Sequence, residues 1–305
     1  MRDVEIAALA GAQFNRLART QLYALGMSDA AIEHRVATGR LVIVDVGVLA
    51  VAPVLEHDVW GGWMAATLTA PESILSHASA AAARGFWSAP RHVQTITRPG
   101  SGGPRRLGGV LVFRSTTLAG ERELLRGIPI TSAPRTLLDL APHASDRQLA
   151  RAVREAIRLR HTTIHAIADC VGRHKGRVGT RRLTAVLARY AGLPLERARS
   201  GAEVRALEVL RSAGRPLPAL NVRIADEEAD LSWADRRLII EIDGGPFHLD
   251  EGEDARKSAC WIGAGWTVRR VPADAVYEQP VTLLALAPTA NVPIHVPEKG
   301  ERDVR

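Results

Sequence analysis

Two acidic residues, Glu241 and Asp243, occupy alternate positions at the end of the apolar run 238–243. Alternate residues of a β-strand point to the same face of a sheet, so we expect the two carboxylates to project together. A third acid, Asp230, lies in a run that is typical of the neighbouring strand of an antiparallel hairpin, which would bring it to the same place. Clustered carboxylates repel one another and are costly to desolvate, and oxygen ligands suit hard cations. The sequence therefore predicts a Mg²⁺ or Mn²⁺ site at Asp230, Glu241 and Asp243.

Residues beyond these acids extend the pattern. The motifs with fixed spacing are Glu241-x-Asp243-Gly244, Phe247-His248, Asp254-x-x-Lys257, Trp261 and Gly265-Trp266-x-Val268-x-Arg270. Together with Asp230, they resemble the signature of an uncharacterised bacterial family related to the very-short-patch-repair endonucleases, within the PD-(D/E)xK nuclease superfamily. The resemblance covers about residues 200–280 and implies a restriction-endonuclease-like α-β-β-β-α-β core that acts on DNA.

The resemblance also implies roles for single residues. It places Glu203 on the leading helix, Asp230 and the second-strand acids at the metal, and His248 near the scissile phosphate. An imidazole, with an unperturbed pKa of about 6.5, can act as an acid or a base. Lys257 or Arg256 could steady the negative charge of the reacting phosphate. The candidate catalytic residues are Glu203, Asp230, Glu241, Asp243, His248 and Lys257.

Asp243 departs from the superfamily pattern, in which a lysine usually holds this position. Two interpretations stay open. Either His248 and a basic side chain from the helix of Asp254 replace the lysine in an active enzyme, or the fold is catalytically inert and binds DNA without cutting it. Retention of the acids favours the active enzyme, because an acidic cluster without a cation carries an electrostatic cost.

The composition is that of a soluble globular protein of two or three domains. The chain has 305 residues, of which 46% are hydrophobic and 24% charged, and both fractions are ordinary. It has no long uninterrupted apolar run, and its start lacks the plan of a secretory signal, so we expect a cytoplasmic protein without a membrane segment. Cys170 and Cys260 are its two cysteines. They are too few for a disulfide framework or a thiolate zinc site, and we expect both to be packing residues.

Charge is unevenly distributed along the chain. Residues 91–190 hold 19 Arg or Lys against 6 Asp or Glu, a net charge of +13, whereas residues 200–305 hold 13 against 18, a net charge of −5. A basic segment joined to an acidic module suits one part that holds a phosphate backbone and another that holds a metal. A general preference for Arg, as in high-GC bacterial proteins, is the alternative explanation.

The N-terminal segment 1–53 has the spacing of a helix-turn-helix followed by a wing. Thr20 suits a helix N-cap, and Ser28 suits the cap of a second helix that ends at Gly39. Short β runs on either side of residues 45–47 predict a hairpin. The segment is therefore predicted to be a winged helix-turn-helix.

Residues 20–50 resemble the winged-helix domain of AbiEi-type antitoxins. The resemblance implies that the second helix offers Arg35 to a groove of DNA, with Arg40 near the backbone. The segment is neutral overall, which leaves open a role in protein contacts, for example with a cognate toxin.

Two groups of arginines in the middle segment 54–195 suit a nucleic acid. The loop predicted at 98–106 is rich in Gly, Pro and Arg and could lie along phosphates, although a solvated hairpin tip is the alternative. The helix predicted from Ser145 or Asp146 to about Leu159 carries Arg at intervals of three or four, which forms one stripe. An exposed face without a partner is the alternative there. The candidate contacts are Arg105, Arg106, Arg151, Arg154 and Arg158.

The sequence thus predicts an α/β (α+β) protein in four segments. They are a winged helix (1–53), a basic α/β domain (54–195), a nuclease-like domain (200–290) and a loose tail (291–305). We expect a DNA-binding protein whose metal-dependent endonuclease-like domain hydrolyses phosphodiester bonds. The alternative is an AbiEi-like antitoxin or transcriptional regulator with an inert nuclease fold. The oligomeric state stays open.

Overall fold

A computed structural model of the chain describes residues 2–55, 57–88, 93–244 and 251–289. The chain divides into two compact units, Met1–Ala191 (unit 1) and Gly192–Arg305 (unit 2). Both units combine helices with β-sheet, which confirms the mixed α/β class. Unit 1 contains both the predicted winged helix and nearly all of the predicted middle domain, and the boundary between them stays a prediction. His248 and the tail 291–305 lie outside the described residues.

The first fifty residues of unit 1 pack three helices around a small sheet. In chain order the elements are α1 (Arg2–Ala12), β1 (Arg16–Ala18), α2 (Arg19–Ala24), α3 (Asp29–Ala37), β2 (Leu41–Asp45) and β3 (Val48–Val51). The strands form an antiparallel sheet in the order β1-β3-β2. The β2–β3 pair is the predicted hairpin and turns through Gly47, whose φ of 69° favours glycine. Ile6, Leu22 and Leu49 are among the residues of its core.

Two helix caps were predicted in this region, and one of them is wrong. The Ser28 side chain accepts a hydrogen bond from Ala31 N at 3.3 Å, as predicted for the cap of α3. Thr20 is not a cap, because α2 begins one residue earlier, after Ala18. There the backbone N–H of Ala18 donates to Gln21 Oε1 at 2.8 Å. A glutamine in the first turn thus takes part of the role that the sequence assigned to the threonine hydroxyl.

The rest of unit 1 begins with a six-stranded sheet. Its elements are α4 (Val59–Leu68), β4 (Ile74–Leu75), α5 (His77–Ala83), β5 (Gln94–Pro99), β6 (Arg105–Leu107), β7 (Val110–Ser115), β8 (Arg122–Leu125) and β9 (Ile128–Thr131). The strand order is β6-β7-β5-β4-β9-β8, with β5 parallel to β7. The loop predicted at 98–106 is wrong at both ends. Arg98 and Pro99 belong to β5, and Arg105 and Arg106 belong to the edge strand β6; all four pair with β7.

Four helices complete unit 1. They are α6 (Ala133–Leu140), α7 (Asp146–Arg158), α8 (Ile164–Arg173) and α9 (Thr180–Ala188). Ser145 Oγ accepts a hydrogen bond from Gln148 N at 3.3 Å, so Ser145 rather than Asp146 caps α7. Ser132 Oγ accepts from Arg135 N at the same distance and caps α6. These helices bury a long apolar face that includes Leu137 and Val153.

Unit 2 is built on a four-stranded mixed sheet. Its elements are α10 (Gly201–Ser212), β10 (Ala219–Ile224), β11 (Glu227–Trp233), β12 (Leu238–Asp243), α11 (Glu251–Gly263), β13 (Thr267–Pro272), α12 (Ala273–Glu278) and α13 (Pro280–Leu286). The strand order is β10-β11-β12-β13, antiparallel except for the parallel pair β12–β13. The predicted antiparallel pairing of β11 with β12 is confirmed. Trp261 fixes α11 on the sheet, because its ring is fully buried and its Nε1 donates to Ile224 O at 3.0 Å.

None of the helices in the described part of the chain combines the length and the apolar character that crossing a membrane requires.

Candidate functional site

Asp230 and Glu241 lie just past the paired part of β11 and β12. They are one residue beyond the last paired residues, Leu231 and Ile240. The backbone N–H of Asp230 donates to Glu241 Oε1 at 2.9 Å, and the backbone N–H of Ile242 donates to Asp230 Oδ2 at 2.8 Å. Each side chain thus accepts an N–H from the opposite strand. Each carboxylate keeps one oxygen without a hydrogen-bond partner among the described residues, and neither of these oxygens is sealed from solvent. The pair is therefore fixed in place and still open to a ligand.

Both carboxylates hold their protons more tightly than ordinary acids. Burial raises the pKa of Asp230 to about 6, with further contributions from the negative charges of Glu203 and Asp243, although the hydrogen bond from Ile242 opposes them. Burial also raises the pKa of Glu241 to about 7, and the charge of Asp230 adds to this effect. Two partly desolvated acids whose charges interact favour a bound proton or cation near neutral pH.

Glu203 supplies a further acid from helix α10. Its side chain is buried, and Oε2 accepts hydrogen bonds from Arg199 N at 2.9 Å and Asn221 Nδ2 at 2.7 Å. Its own N–H donates to Ser200 Oγ at 3.1 Å, so Ser200 caps this helix. Because its charge raises the pKa of Asp230, Glu203 lies within electrostatic reach of the strand acids. The leading helix therefore contributes to the same acidic site.

Asp243 is paired with Arg270. Arg270 Nη1 lies 2.8 Å from Asp243 Oδ1 and 3.2 Å from Asp254 Oδ2, and Nη2 donates to Ser258 Oγ at 3.2 Å. Arg270 also stands opposite Glu241 in the parallel register of β12 and β13. The sequence motif includes Arg270 but predicts no role for it. The signal that would reveal its role is the pairing of β13 with β12, which the local sequence does not contain.

Lys257 and Arg256 follow each other on α11 but have different partners. Lys257 Nζ lies 3.5 Å from Glu253 Oε1, and its positive charge opposes the rise in the pKa of Glu241. Arg256 pairs with Glu227 Oε1 at 2.8 Å. Of the two basic residues, Lys257 is therefore the one whose charge acts on the acidic site.

A different set of residues forms the tightest group of potential metal ligands in the described part of the chain. The donor atoms of Glu121, Cys170 and His174, in unit 1, lie within 4.8 Å of one another. Asp230, Glu241 and Asp243 do not form such a group. The chain therefore holds a candidate metal-binding triad that sequence reasoning missed, since Cys170 was expected to be a packing residue only. Glu121 lies about fifty positions before Cys170 and His174 in the sequence, and only the fold brings the three residues together.

The Glu121 triad is already satisfied by internal hydrogen bonds. Glu121 Oε1 lies 3.0 Å from Arg173 Nη2 and 3.1 Å from His174 Nε2, and Oε2 accepts from Ser132 Oγ at 2.8 Å. Burial raises the pKa of Cys170 to about 11, so its sulfur is a thiol near neutral pH, whereas a metal binds the thiolate. A metal here would have to displace Arg173 and deprotonate a buried thiol.

Of the two candidate DNA-contacting arginines in the N-terminal segment, one forms an ion pair within the protein and the other does not. Arg35 forms an ion pair with Asp3 of α1. Arg40 is exposed and makes no ion pair with the residues that the structure describes. Arg19 joins Asp29 and Glu33 on the same surface. The surface of α3 is thus neutral through internal pairing, and Arg40 is the cation left open to a partner.

The candidate contacts of the middle segment also differ. Arg105 and Arg106 are exposed on the edge strand β6. On α7, Arg151 is exposed, but Arg154 donates to Tyr190 Oη at 3.2 Å and Arg158 pairs with Glu155 at 2.8 Å. The predicted arginine stripe is therefore partly engaged within unit 1.

The fold and these contacts define a mixed α/β protein with an acidic pair at a strand end. No protein-family model matches the chain, and no curated protein matches its sequence.

Proposed function

We propose that unit 2 is a metal-dependent endonuclease-like domain that hydrolyses phosphodiester bonds of DNA. The observation that carries the proposal is the Asp230–Glu241 pair. Its carboxylates are fixed by backbone N–H groups, their pKa values are raised to about 6 and about 7, and each keeps one oxygen open. Strongly perturbed acids with open oxygens are more frequent at functional sites than elsewhere.

The donor set fits Mg²⁺ or Mn²⁺. Asp230 and Glu241 would hold the ion through their open oxygens, and Asp243 would join them if it left Arg270. Oxygen ligands and adjoining negative charges suit a hard divalent cation. When bound, such an ion neutralises phosphoryl oxygens and lowers the pKa of a bound water.

Other side chains of unit 2 would support the reaction without holding the ion. Glu203 is fixed by Arg199 and Asn221 and would orient groups near Asp230. Lys257 would place a positive charge near the reacting phosphate. His248, which we expect to act as acid or base, completes the proposed set.

The order of elements in unit 2 agrees with this proposal. A helix leads, three strands follow in an antiparallel run, and helix α11 connects β12 to its parallel neighbour β13. This is the α-β-β-β-α-β order that the resemblance to the PD-(D/E)xK superfamily implies. The α2–α3 pair with the β2–β3 hairpin likewise supports a winged helix in unit 1, where DNA is the proposed partner.

A nicking assay tests the proposal on the full-length protein. We expect supercoiled plasmid to be nicked in the presence of Mg²⁺ or Mn²⁺, and a chelator to abolish the activity. Asp230→Asn keeps the acceptor for Ile242 N but loses the charge, and it should lower the rate about a hundredfold or more. The matched control is Asp226→Asn, because Asp226 is an exposed acid in the same unit, with a side chain 96% exposed.

Equal rates for the two variants would contradict the proposal. DNA binding without nicking by the wild-type protein would support the second candidate, an AbiEi-like antitoxin or transcriptional regulator with an inert nuclease fold. One observation favours that candidate. Asp243 stands where the superfamily has lysine, and it is neutralised by Arg270.

A further inference from the structure

Unit 1 contains a basic pocket whose lining includes Gly100 and Ser101, from the stretch 98–106 that the sequence suggests for contact with phosphates. It has a volume of about 340 Å³ and lies between the segment after β5, the end of β7 and the turn after α8. Pockets of this size accommodate small ligands. Its cationic wall consists of Arg114, Arg173, Lys175 and Arg177, and none of the described residues that line it is acidic.

Two buried carboxylates hold two of the four pocket cations, Arg173 and Arg177, in place. Glu121, 3% exposed, lies 3.0 Å from Arg173 Nη2. Asp139, 1% exposed, lies 2.7 Å from Arg177 Nη2 and also binds Arg135 at 2.9 Å. The buried Arg135, the buried Asp139 and the pocket residue Arg177 thus form a chain of ion pairs from the interior to the pocket. The Arg173 and Arg177 guanidinium groups are held before a ligand arrives, so little of their side-chain entropy is lost when it binds.

Arg135 supports the wall of the pocket from the protein interior. Its guanidinium is fully buried, and it donates to Thr117 O at 2.6 Å and to Ser115 Oγ at 3.0 Å. Ser115 and Thr117 both line the pocket. Arg135 is therefore a positioning residue, and the wall it supports belongs to the rigid end of β7.

The charges of this region do not balance without a ligand. The pocket cations and Arg135 outnumber the two buried carboxylates, and Lys175 makes no ion pair with any residue that the structure describes. A multiply charged anion would offset the surplus. Arginine guanidinium groups match the oxygens of a phosphate in pairs, and hydroxyl groups such as that of Thr116 add donors.

We propose that this pocket binds a phosphate group, carried either by a nucleic acid backbone or by a free phosphorylated metabolite. The residues of the Glu121 triad then have a structural role, because Glu121 orients Arg173 and His174 toward the pocket. The proposal does not depend on nuclease activity, since the acidic site belongs to the other unit.

The test uses the full-length protein and a double variant, Arg114→Gln with Lys175→Gln. Neither side chain pairs with Glu121 or Asp139, so we expect the fold to be retained, as a thermal melt would verify. The matched control is Arg122→Gln with Arg181→Gln, which removes two exposed charges of unit 1 that do not line the pocket. Titration calorimetry with inorganic phosphate and fluorescence anisotropy with short duplex DNA measure the two sources separately.

We expect the pocket variant to bind at least one probe about tenfold more weakly than the wild type, which corresponds to the loss of charge-assisted hydrogen bonds. The control should stay within about twofold. Weakening of DNA binding identifies the nucleic acid backbone as the source, and weakening of inorganic phosphate binding alone identifies a free ligand. The proposal is overturned if the pocket variant and the control bind both probes equally, or if the wild type binds neither.

Discussion

At the residue scale, the side chains of Asp230 and Glu241 are each held by a hydrogen bond from the backbone of the opposite strand. Each carboxylate accepts one backbone N–H across the β11–β12 pair and leaves its second oxygen open. An acid that is partly desolvated in this way is costly to ionise, so the folded protein stores unfavourable free energy at neutral pH. A divalent cation would relieve this cost, which connects the stability of the fold with the proposed activity.

The first prediction concerns this cost. In the absence of divalent cations, Asp230→Asn should raise the free energy of unfolding at about pH 8 by about 1–2 kcal/mol. The pKa of Asp230 is raised to about 6, so above that pH the folded protein must hold a charged, buried carboxylate that asparagine avoids. Below about pH 4 the acid is neutral in both states, and the advantage of asparagine should vanish. Chemical denaturation at both pH values measures the difference.

Asp226→Asn is the control for this comparison, because the Asp226 carboxylate is exposed. It should change the free energy of unfolding by less than about 0.5 kcal/mol at either pH. A destabilising effect of Asp230→Asn at alkaline pH would contradict the prediction, because it would mean that favourable contacts of the carboxylate outweigh the cost of its burial.

Sequence alternation predicted where the strand acids lie but not what surrounds them. The confirmed β11–β12 pairing is a local hairpin, and local spacing is sufficient to predict it. Arg270 reaches Asp243 only because α11 carries the chain back to a parallel strand, a non-local pairing. Ser76 directly precedes α5, but its side chain does not cap the helix and is buried against His77 Nδ1 at 2.9 Å and Thr97 Oγ1 at 2.8 Å. Its environment is set by a strand twenty residues away.

At the scale of elements, helix α10 positions Glu203 through its cap. Ser200 Oγ accepts the N–H of Glu203 at 3.1 Å, and the backbone before the cap donates from Arg199 N to the Glu203 carboxylate at 2.9 Å. Ser200→Ala should therefore destabilise unit 2 by about 1 kcal/mol. It should also loosen Glu203, so hydrogen exchange in the first turn of α10 should become faster.

Ser212→Ala, at the other end of α10, is the matched control. Ser212 is exposed and lies at the last residue of the helix. The same chemical change there should leave stability within about 0.5 kcal/mol and exchange in the first turn unchanged. Equal effects of the two variants would show that the Ser200 hydroxyl does not act as a cap.

Other elements were predicted well only where a cap or a hairpin marked them. Ser28 and Ser145 cap helices α3 and α7 as expected, since a side-chain acceptor before a helix is a local signal. Strand β4 has two residues, and it is a strand because β5 and β9 pair with it. Strand β6 lies in a Gly-, Pro- and Arg-rich stretch and forms because β7 offers it an edge. Pairing partners decide such strands, and short sequence windows do not contain them.

At the scale of the whole molecule, the buried titratable groups of the two units make folding stability depend on pH in opposite directions. Buried groups of unit 1 favour the folded state at higher pH. Burial lowers the pKa of His77 to about 4 and also lowers that of His161. Burial alone would raise the pKa of Glu121, but hydrogen bonds from Ser132, Arg173 and His174 lower it overall. In unit 2, burial raises the pKa values of Asp230 and Glu241.

These shifts predict that the two units respond to pH in opposite directions. Between about pH 4 and pH 6.5 the unfolded form of unit 1 binds more protons than the folded form, so stability present above this window is lost as the pH falls. In unit 2 the folded form binds more protons between about pH 4 and pH 7, so stability present at low pH is lost as the pH rises.

Hydrogen exchange read by mass spectrometry, corrected for intrinsic rates, resolves the two units in one experiment. From about pH 5 to about pH 7.5, without divalent cations, protection of residues 133–158 should increase and protection of residues 227–243 should decrease. The double variant Asp230→Asn with Glu241→Gln should remove the decrease in unit 2 and leave unit 1 unchanged, and a parallel response of both units in the wild type would contradict the opposing charge environments.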